Sequence, residues 1–214
     1  MKKGCILCLL ISVISLPLIA QNIIYSNLKE LLTQHGDTTA VLRVEKRSRN
    51  QIVLTGGADY RITAGDDESM CRRLKKRCFA VRDEKGNLYL NCRKLRYKKL
   101  RFGAWYAPAV QLGKNIYFCA MPLGSVIGGN FVEEDDVKLG GNIGDALAAS
   151  SLVTKRVCYE LNGETGKVDF LGKDRMLQLL KNYPELKQAY LKDDSQEAKH
   201  TFNFLLELQN KQKK

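Results

Sequence analysis

The sequence predicts an α+β fold: an antiparallel, strongly curved, meander-type sheet with short inserted helices and a helical C-terminus. Two observations support this prediction. Between about residues 40 and 171, short runs of alternating apolar and polar residues are separated by turns rich in Gly, Asn and Asp, which is typical of antiparallel strands. From about residue 174 onward, the apolar residues follow the 3.6-residue spacing of amphipathic helices.

Residues 1–20 are predicted to be a cleaved secretory signal peptide. Lys2 and Lys3 give a positively charged start, and a short apolar run leads to the small residue Ala20. This run is shorter than the roughly 20 apolar residues that a bilayer-spanning helix needs, and no later stretch is long and apolar enough to span a membrane. The mature chain, residues 21–214, is therefore predicted to be exported to the periplasm or cell envelope, or secreted. Its length suits a single α+β domain, helical from about residue 174.

The net charge bears on the kind of partner. The chain carries a formal charge of +12, and Lys2 and Lys3 are the basic residues that would leave with the signal peptide. For an exported protein, the accessible polyanions are lipid head groups, lipopolysaccharide, acidic glycans and other proteins. The compartment therefore argues against nucleic acid, which would be bound only through non-specific phosphate attraction.

The clearest local signal is a hairpin around the turn 83–87. An Asp followed three residues later by Gly suits a type I turn closed by a left-handed glycine. With Asp83 opposite Asn87, the register places Cys78 opposite Cys92, within disulfide range. In an oxidising compartment we therefore predict a Cys78–Cys92 disulfide, the alternative being buried free cysteines. The sequence leaves open the pairing of the other mature cysteines, which are Cys71, Cys119 and Cys158.

A strongly basic segment follows this hairpin and leads into aromatic residues. As a strand, it would turn Leu95 and Tyr97 to one side and its basic side chains to the other. Cations beside aromatic rings can hold phosphate or carboxylate groups through charge-assisted hydrogen bonds. The alternative is a solvated strand face next to ordinary core aromatics. The predicted anion- or partner-binding residues are Arg93, Lys94, Arg96, Lys98, Lys99, Arg101, Trp105 and Tyr106.

The other elements follow from local patterns of spacing and turn residues. In chain order, these patterns predict a helix from Ser26 to Gly36, strands at 40–45, 51–55 and 59–63, a helix from about Asp66, hairpins at 105–121 and 155–171, a small apolar helix at 140–151, and C-terminal helices from Asp174 and Ser195.

No cofactor, metal site or catalytic residue is predicted. Residues 140–145 lack the Gly-x-Gly-x-x-Gly order of a dinucleotide-binding loop and the lysine of a P-loop. The acidic run 133–136 lacks the alternating ligand spacing of a calcium loop. A thiol nucleophile needs a neighbouring imidazole, and the two histidines, His35 and His200, are better explained by their positions in predicted helices. Neither histidine has a partner at zinc-ligand spacing.

Four segments carry a resemblance to a known family: Leu42-Arg43-Val44-Glu45-Lys46, Gly56-Gly57-Ala58-Asp59-Tyr60, Arg101-Phe102-Gly103-Ala104-Trp105-Tyr106 and Leu139-Gly140-Gly141. They resemble a family of exported bacterial proteins of about this length, found in the Gram-negative envelope. The resemblance covers essentially the whole mature chain, and the family is a domain of unknown function. It implies export and a single domain, and it assigns no catalytic residue, ligand or partner.

Two classes of function follow from these observations. The favoured one is a non-enzymatic protein of the cell envelope that binds another protein or an anionic surface component through the basic face. The alternative is a hydrolase whose site is assembled from residues distant in sequence. A flat basic surface would favour binding, whereas convergent carboxylates or a Cys–His contact in a deep pocket would favour the enzyme.

Overall fold

The computed structural model describes residues 21–39, 41–48, 50–52, 57–98, 100–120, 157–193 and 198–213. Several sequence predictions lie outside these described residues: the signal peptide 1–20, Lys99, the acidic run 133–136 and the apolar helix 140–151.

The described part contains short strands interrupted by helices, and three helices follow the last strand. The elements are β1 (Asn22–Tyr25), α1 (Leu28–Thr33), β2 (Asp37–Thr39), β3 (Arg43–Lys46), β4 (Tyr60–Thr63), α2 (Glu68–Lys76), β5 (Ala80–Arg82), β6 (Leu88–Asn91), a 3-10 helix (Cys92–Lys94), β7 (Arg96–Tyr97), β8 (Leu100–Arg101), β9 (Tyr106–Leu112), β10 (Asn115–Ala120), β11 (Val157–Leu161), β12 (Val168–Phe170), α3 (Lys173–Leu179), α4 (Pro184–Lys192) and α5 (Ala198–Gln212).

An open antiparallel sheet organises these elements. Its strands follow the order β12-β11-β10-β9-β6-β5-β1-β2, and the β3–β4 hairpin joins β9 where Tyr60 pairs with Tyr106. The half from β9 to β12 is a meander, since each strand there pairs with the next along the chain. The predicted antiparallel α+β architecture and the helical C-terminus are confirmed, while the strong curvature of the sheet stays a prediction.

The strand predicted at 51–55 is wrong in its first residues, because 50–52 are helical. The Ser48 hydroxyl accepts a hydrogen bond from the Gln51 N–H at 3.2 Å, and the Gln51 side chain accepts one from the Ser48 N–H at 2.9 Å. This reciprocal pair is a capping box, which starts a helix. Its Ser-x-x-Gln signature overrides the alternation on which the strand prediction rested.

The hairpin register around residues 83–87 is confirmed. Ala80 pairs with Leu90 and Arg82 with Leu88, and the Asp83 N–H donates to the Asn87 carbonyl oxygen at 3.0 Å. The turn is closed by Gly86 at φ +82°, a left-handed conformation that suits glycine. The local signal in this segment therefore specified both the turn and the pairing.

The predicted Cys78–Cys92 disulfide is wrong, since both residues are buried free thiols. The β5–β6 pairing begins at Ala80, and Cys78, which precedes it, packs with Leu74 on one face of the sheet. Cys92 begins the 3-10 helix and packs with Leu90 on the opposite face. Desolvation by burial raises the pKa of Cys78 to about 11 and that of Cys92 to about 12, so both stay protonated at neutral pH.

The disulfide of the described residues joins Cys119 to Cys158. These residues face each other across the β10–β11 pairing, and their Cα atoms lie 4.1 Å apart. The bond therefore connects two neighbouring strands whose intervening chain, 39 residues in sequence separation, lies mostly outside the described part.

The two faces of the sheet are separate cores, as the alternation along β9 shows. Ala107 and Ala109 belong to one cluster of buried side chains, whereas Val110 and Leu112 belong to another. The first face is covered by the segment that carries Leu95, Tyr97 and Phe102, together with Leu31 of α1. The second face is covered by α2 and by the C-terminal helices, through Leu74, Met176, Leu205 and Leu208.

Candidate functional site

The predicted basic segment forms a two-stranded hairpin. We call residues 93–101 the basic hairpin; β7 and β8 are its strands, and its turn begins at Lys98 with φ +51°. The alternation predicted from the sequence is confirmed, because Leu95 and Tyr97 are buried. Its described basic side chains are exposed, and these are Arg93, Lys94, Arg96, Lys98 and Arg101.

The pairing of this hairpin brings two cations together. Arg96 and Arg101 are directly opposite each other in the β7–β8 register. Directly opposed strand residues have Cβ atoms about 4.5–5.5 Å apart, and like charges at that spacing repel. Within the described part of the chain, no ion pair neutralises either arginine. A bound carboxylate or phosphate could accept hydrogen bonds from both guanidinium groups and relieve this repulsion.

The two aromatic residues predicted for this site have different positions. Tyr106 is only 2% exposed, and its hydroxyl donates to the Leu74 carbonyl oxygen at 2.8 Å, so it is a core residue and its predicted role in binding stays a prediction. Trp105 is half-buried and adopts φ +84°, a conformation that bulky residues rarely take. Its backbone is held by a hydrogen bond of 3.0 Å from the Cys92 N–H to its carbonyl oxygen.

Glycine and arginine residues fix the position of the Trp105 indole. A Cβ at Gly57 would collide with the Ala104 carbonyl oxygen and lie 2.9 Å from Cδ1 of Trp105, so the close approach requires glycine. The guanidinium carbon of Arg47 lies 5.0 Å from the ring centroid, and that of Arg61 lies 5.8 Å away. Both distances are within the range of cation–π attraction.

Beside Trp105 lies a cleft of about 120 Å³ between α2, β4 and the start of β9. The sequence gives no local signal for this site, because its charged members, Arg61 and Lys75, lie far from Trp105 along the chain. The pairing of Tyr60 with Tyr106 brings Arg61 of β4 to the start of β9, and helix α2 packs on β4 with Lys75 near its end. The residues that line the cleft are Arg61, Ile62, Thr63, Cys71, Lys75, Asn91, Ala104, Trp105 and Tyr106.

A buried carboxylate elsewhere in the sheet has a structural role. Glu160 is 8% exposed and accepts hydrogen bonds from Arg175 at 2.8 Å to each oxygen, from Tyr117 at 2.9 Å and from Asn115 at 2.6 Å. Burial alone would raise the pKa of Glu160, but these hydrogen bonds and the Arg175 charge hold it below its ordinary value. The network joins β10 and β11 to α3, and both carboxylate oxygens of Glu160 accept hydrogen bonds within it.

We expect Glu160→Gln to lower the free energy of unfolding at pH 7 by about 2 kcal/mol, because it removes charge-assisted hydrogen bonds. Folding lowers the pKa of this group, so its contribution is present above the unfolded-state pKa of about 4.3 and is lost as the pH falls through the folded-state value. Urea unfolding from pH 7 to pH 3 should show the difference from wild type shrinking. Glu164→Gln is the control, because the exposed Lys114–Glu164 pair should contribute little at any pH. A difference independent of pH would contradict the role of the Glu160 charge.

The side chain of each histidine contacts a group a few residues away along the chain. His35 Nδ1 is 2.7 Å from the Thr33 carbonyl oxygen, and His200 Nδ1 is 3.0 Å from Oδ2 of Asp193. Among the described residues, no group of three or more His, Cys, Asp or Glu side chains is placed to hold a metal ion. Among the helices of the described ranges, none combines the length and apolar character that a membrane crossing requires.

The described residues form an α+β protein in which an antiparallel sheet carries an exposed basic hairpin and, separate from it, a cation-lined cleft. The chain belongs to the family of unknown function DUF6563, whose family model matches residues 23–213. Neither a curated protein nor a solved structure matches this chain.

Proposed function

We propose that this chain is an exported, non-enzymatic protein of the cell envelope that binds an anionic envelope component through the basic hairpin. The observation that carries the proposal is the direct opposition of Arg96 and Arg101 on an exposed surface. A like-charged pair lowers stability in the absence of a ligand, whereas a bound anion turns it into a favourable interaction.

The packing of the hairpin also supports binding. Leu95 and Tyr97 are buried against the sheet, so the hairpin is held in place while its basic side chains face outward. The described residues of the hairpin that face outward are arginines and lysines. A surface made only of cations is better suited to bind phosphate and carboxylate groups than to form the apolar centre of a protein interface. We therefore favour an anionic surface component, and a protein partner is the alternative.

Two observations support export. The first twenty residues have the order of a signal peptide. The Cys119–Cys158 disulfide suits an oxidising compartment, because disulfides persist in secreted and periplasmic proteins and are rare in the cytosol.

The test is retention on immobilised heparin, a polyanion that stands in for acidic glycans and phosphorylated lipids. We expect the variant Arg96→Gln/Arg101→Gln to elute at lower salt, with a salt dependence reduced by about two ion equivalents, because two cations no longer displace counterions. The thermal midpoint should stay the same or rise, because the substitution also removes a repulsion. A purely structural role for the two arginines would instead lower it.

The matched control is Arg72→Gln/Arg77→Gln, which removes two exposed arginines near α2. Its net charge equals that of the Arg96→Gln/Arg101→Gln variant. If both double variants lose retention equally, the effect is one of net charge and the basic hairpin is not the site. Unchanged retention of the Arg96→Gln/Arg101→Gln variant would also contradict the proposal.

A further inference from the structure

The cleft beside Trp105 has the chemistry of a small-molecule site separate from the basic hairpin. Arg61 and Lys75 bring two cations to it, and its lining contains no carboxylate. Glu45 lies opposite Arg61 in the β3–β4 register, but no ion pair joins the two within the described ranges. The Arg61 guanidinium instead lies over the Trp105 indole. The cleft therefore favours a negatively charged occupant.

The remaining walls suit an apolar, flat group. Ile62 and Tyr106 are buried and contribute apolar surface, and Trp105 adds an aromatic ring. The left-handed backbone of Trp105 is an unfavourable conformation that the surrounding contacts maintain. Such strained residues cluster at ligand sites, where the strain pre-organises a side chain. Thr63 and Asn91 add polar groups that can orient a ligand.

We infer that this cleft binds a small organic anion, a carboxylate or phosphate monoester whose charged group lies between Arg61 and Lys75 and whose flat apolar part packs against Trp105. The cleft, at about 120 Å³, is smaller than the roughly 300–1,000 Å³ of pockets for drug-sized ligands, so we expect a small occupant such as one ring with its charged substituent. No residue of the basic hairpin lines the cleft, so this inference stands independently of the proposed function.

The chain provides two reporters of occupancy. Trp105 is its single tryptophan, so the tryptophan fluorescence of the protein comes from the wall of the cleft. Cys71 also lines the cleft and is half-buried, whereas Cys78 and Cys92 are buried and Cys119 and Cys158 are bonded to each other. A bound ligand should therefore change the fluorescence and slow the alkylation of Cys71 at the same concentration.

The experiment titrates the full chain, with Cys5 and Cys8 replaced by serine, with phenyl phosphate, benzoate, inorganic phosphate and neutral benzyl alcohol. We expect saturable changes in Trp105 fluorescence with phenyl phosphate or benzoate, and protection of Cys71 from N-ethylmaleimide with the same midpoint. Inorganic phosphate should bind more weakly, and benzyl alcohol should have no effect. A stronger response to phenyl phosphate than to benzoate would identify a phosphate site, and the reverse a carboxylate site.

The variant Arg61→Gln/Lys75→Gln should weaken the aromatic anions by at least about tenfold, because both charge-assisted contacts are lost. The control Lys76→Gln removes a neighbouring exposed charge that does not line the cleft, and it should bind like wild type, as should Arg96→Gln/Arg101→Gln. Circular dichroism establishes that each variant is folded. Absence of saturable binding by both aromatic anions, or equal binding by benzyl alcohol, would overturn the inference.

Discussion

Phe102→Ala is expected to lower the free energy of unfolding by about 3–5 kcal/mol, the range for removing a large buried aromatic side chain. Phe102 is 0% exposed, and its ring centroid lies 4.7 Å from that of Tyr159 and 5.4 Å from that of Phe118. Both contacts are edge-to-face pairs, which add to the apolar burial. Because Phe102 directly follows β8, its loss also removes one of the contacts, beside those of Leu95 and Tyr97, that hold the basic hairpin against the sheet.

Equilibrium unfolding in urea measures this effect. Leu206→Ala is a suitable control, because Leu206 is 38% exposed on α5 and its truncation should change stability by at most about 0.5 kcal/mol. An equally small effect of Phe102→Ala would mean that the basic hairpin does not pack on the sheet. Retention on heparin should also fall in Phe102→Ala, although no charge has been removed.

The second large effect on the free energy of unfolding is expected when both cysteines of the disulfide are replaced. Cys119→Ala/Cys158→Ala should lower the free energy of unfolding by about 4 kcal/mol, because the unfolded chain loses a cross-link over a sequence separation of 39 residues. The start of α5 should be affected too, since both sulfur atoms lie near the Ala198 carbonyl oxygen, at 3.5 and 3.4 Å. Urea unfolding with and without reductant measures the loss. Reductant should lower the free energy of unfolding of the wild type but not that of the Cys119→Ala/Cys158→Ala variant.

Cys71→Ala is the control for this comparison, because Cys71 is a free, half-buried thiol. Peptide mapping without reduction should find Cys119 linked to Cys158, and finding Cys78 linked to Cys92 would contradict the structure.

Cleavage of the signal peptide is tested separately. N-terminal sequencing of protein prepared from the cell envelope should find Gln21 as the first residue. Mature protein recovered from the cytosol with an intact Met1 would contradict export.

The sequence predicted the elements whose causes are local. The hairpin at 83–87 follows from Asp83, whose carboxylate accepts hydrogen bonds from the N–H groups of Lys85 and Asn87, and from Gly86, which takes the left-handed position. The exposure of the basic side chains of the basic hairpin follows in the same way from their alternation with Leu95 and Tyr97. These features could be predicted from neighbouring residues alone.

The errors have non-local causes. The side chain of Asn91 donates to the carbonyl oxygens of Leu74 and Cys78, at 3.2 and 2.9 Å, and these bonds help to hold Cys78 in a different core cluster from Cys92. The burial of Tyr106 likewise depends on a distant segment, because its hydroxyl donates to the Leu74 carbonyl oxygen of helix α2. In each case a contact between distant segments decides the outcome, and periodicity does not record such contacts.

The Cys119–Cys158 bond turns the chain between these residues into a covalent ring that opens from neighbouring strands of the sheet. A single cut in any peptide bond of that ring would leave two polypeptides, one ending with β10 and its continuation and the other carrying β11, β12 and the C-terminal helices. The two pieces would remain one molecule, and separating them would require reduction as well as unfolding. Proteolytic processing inside the ring is therefore compatible with keeping the sheet, the basic hairpin and the cleft assembled.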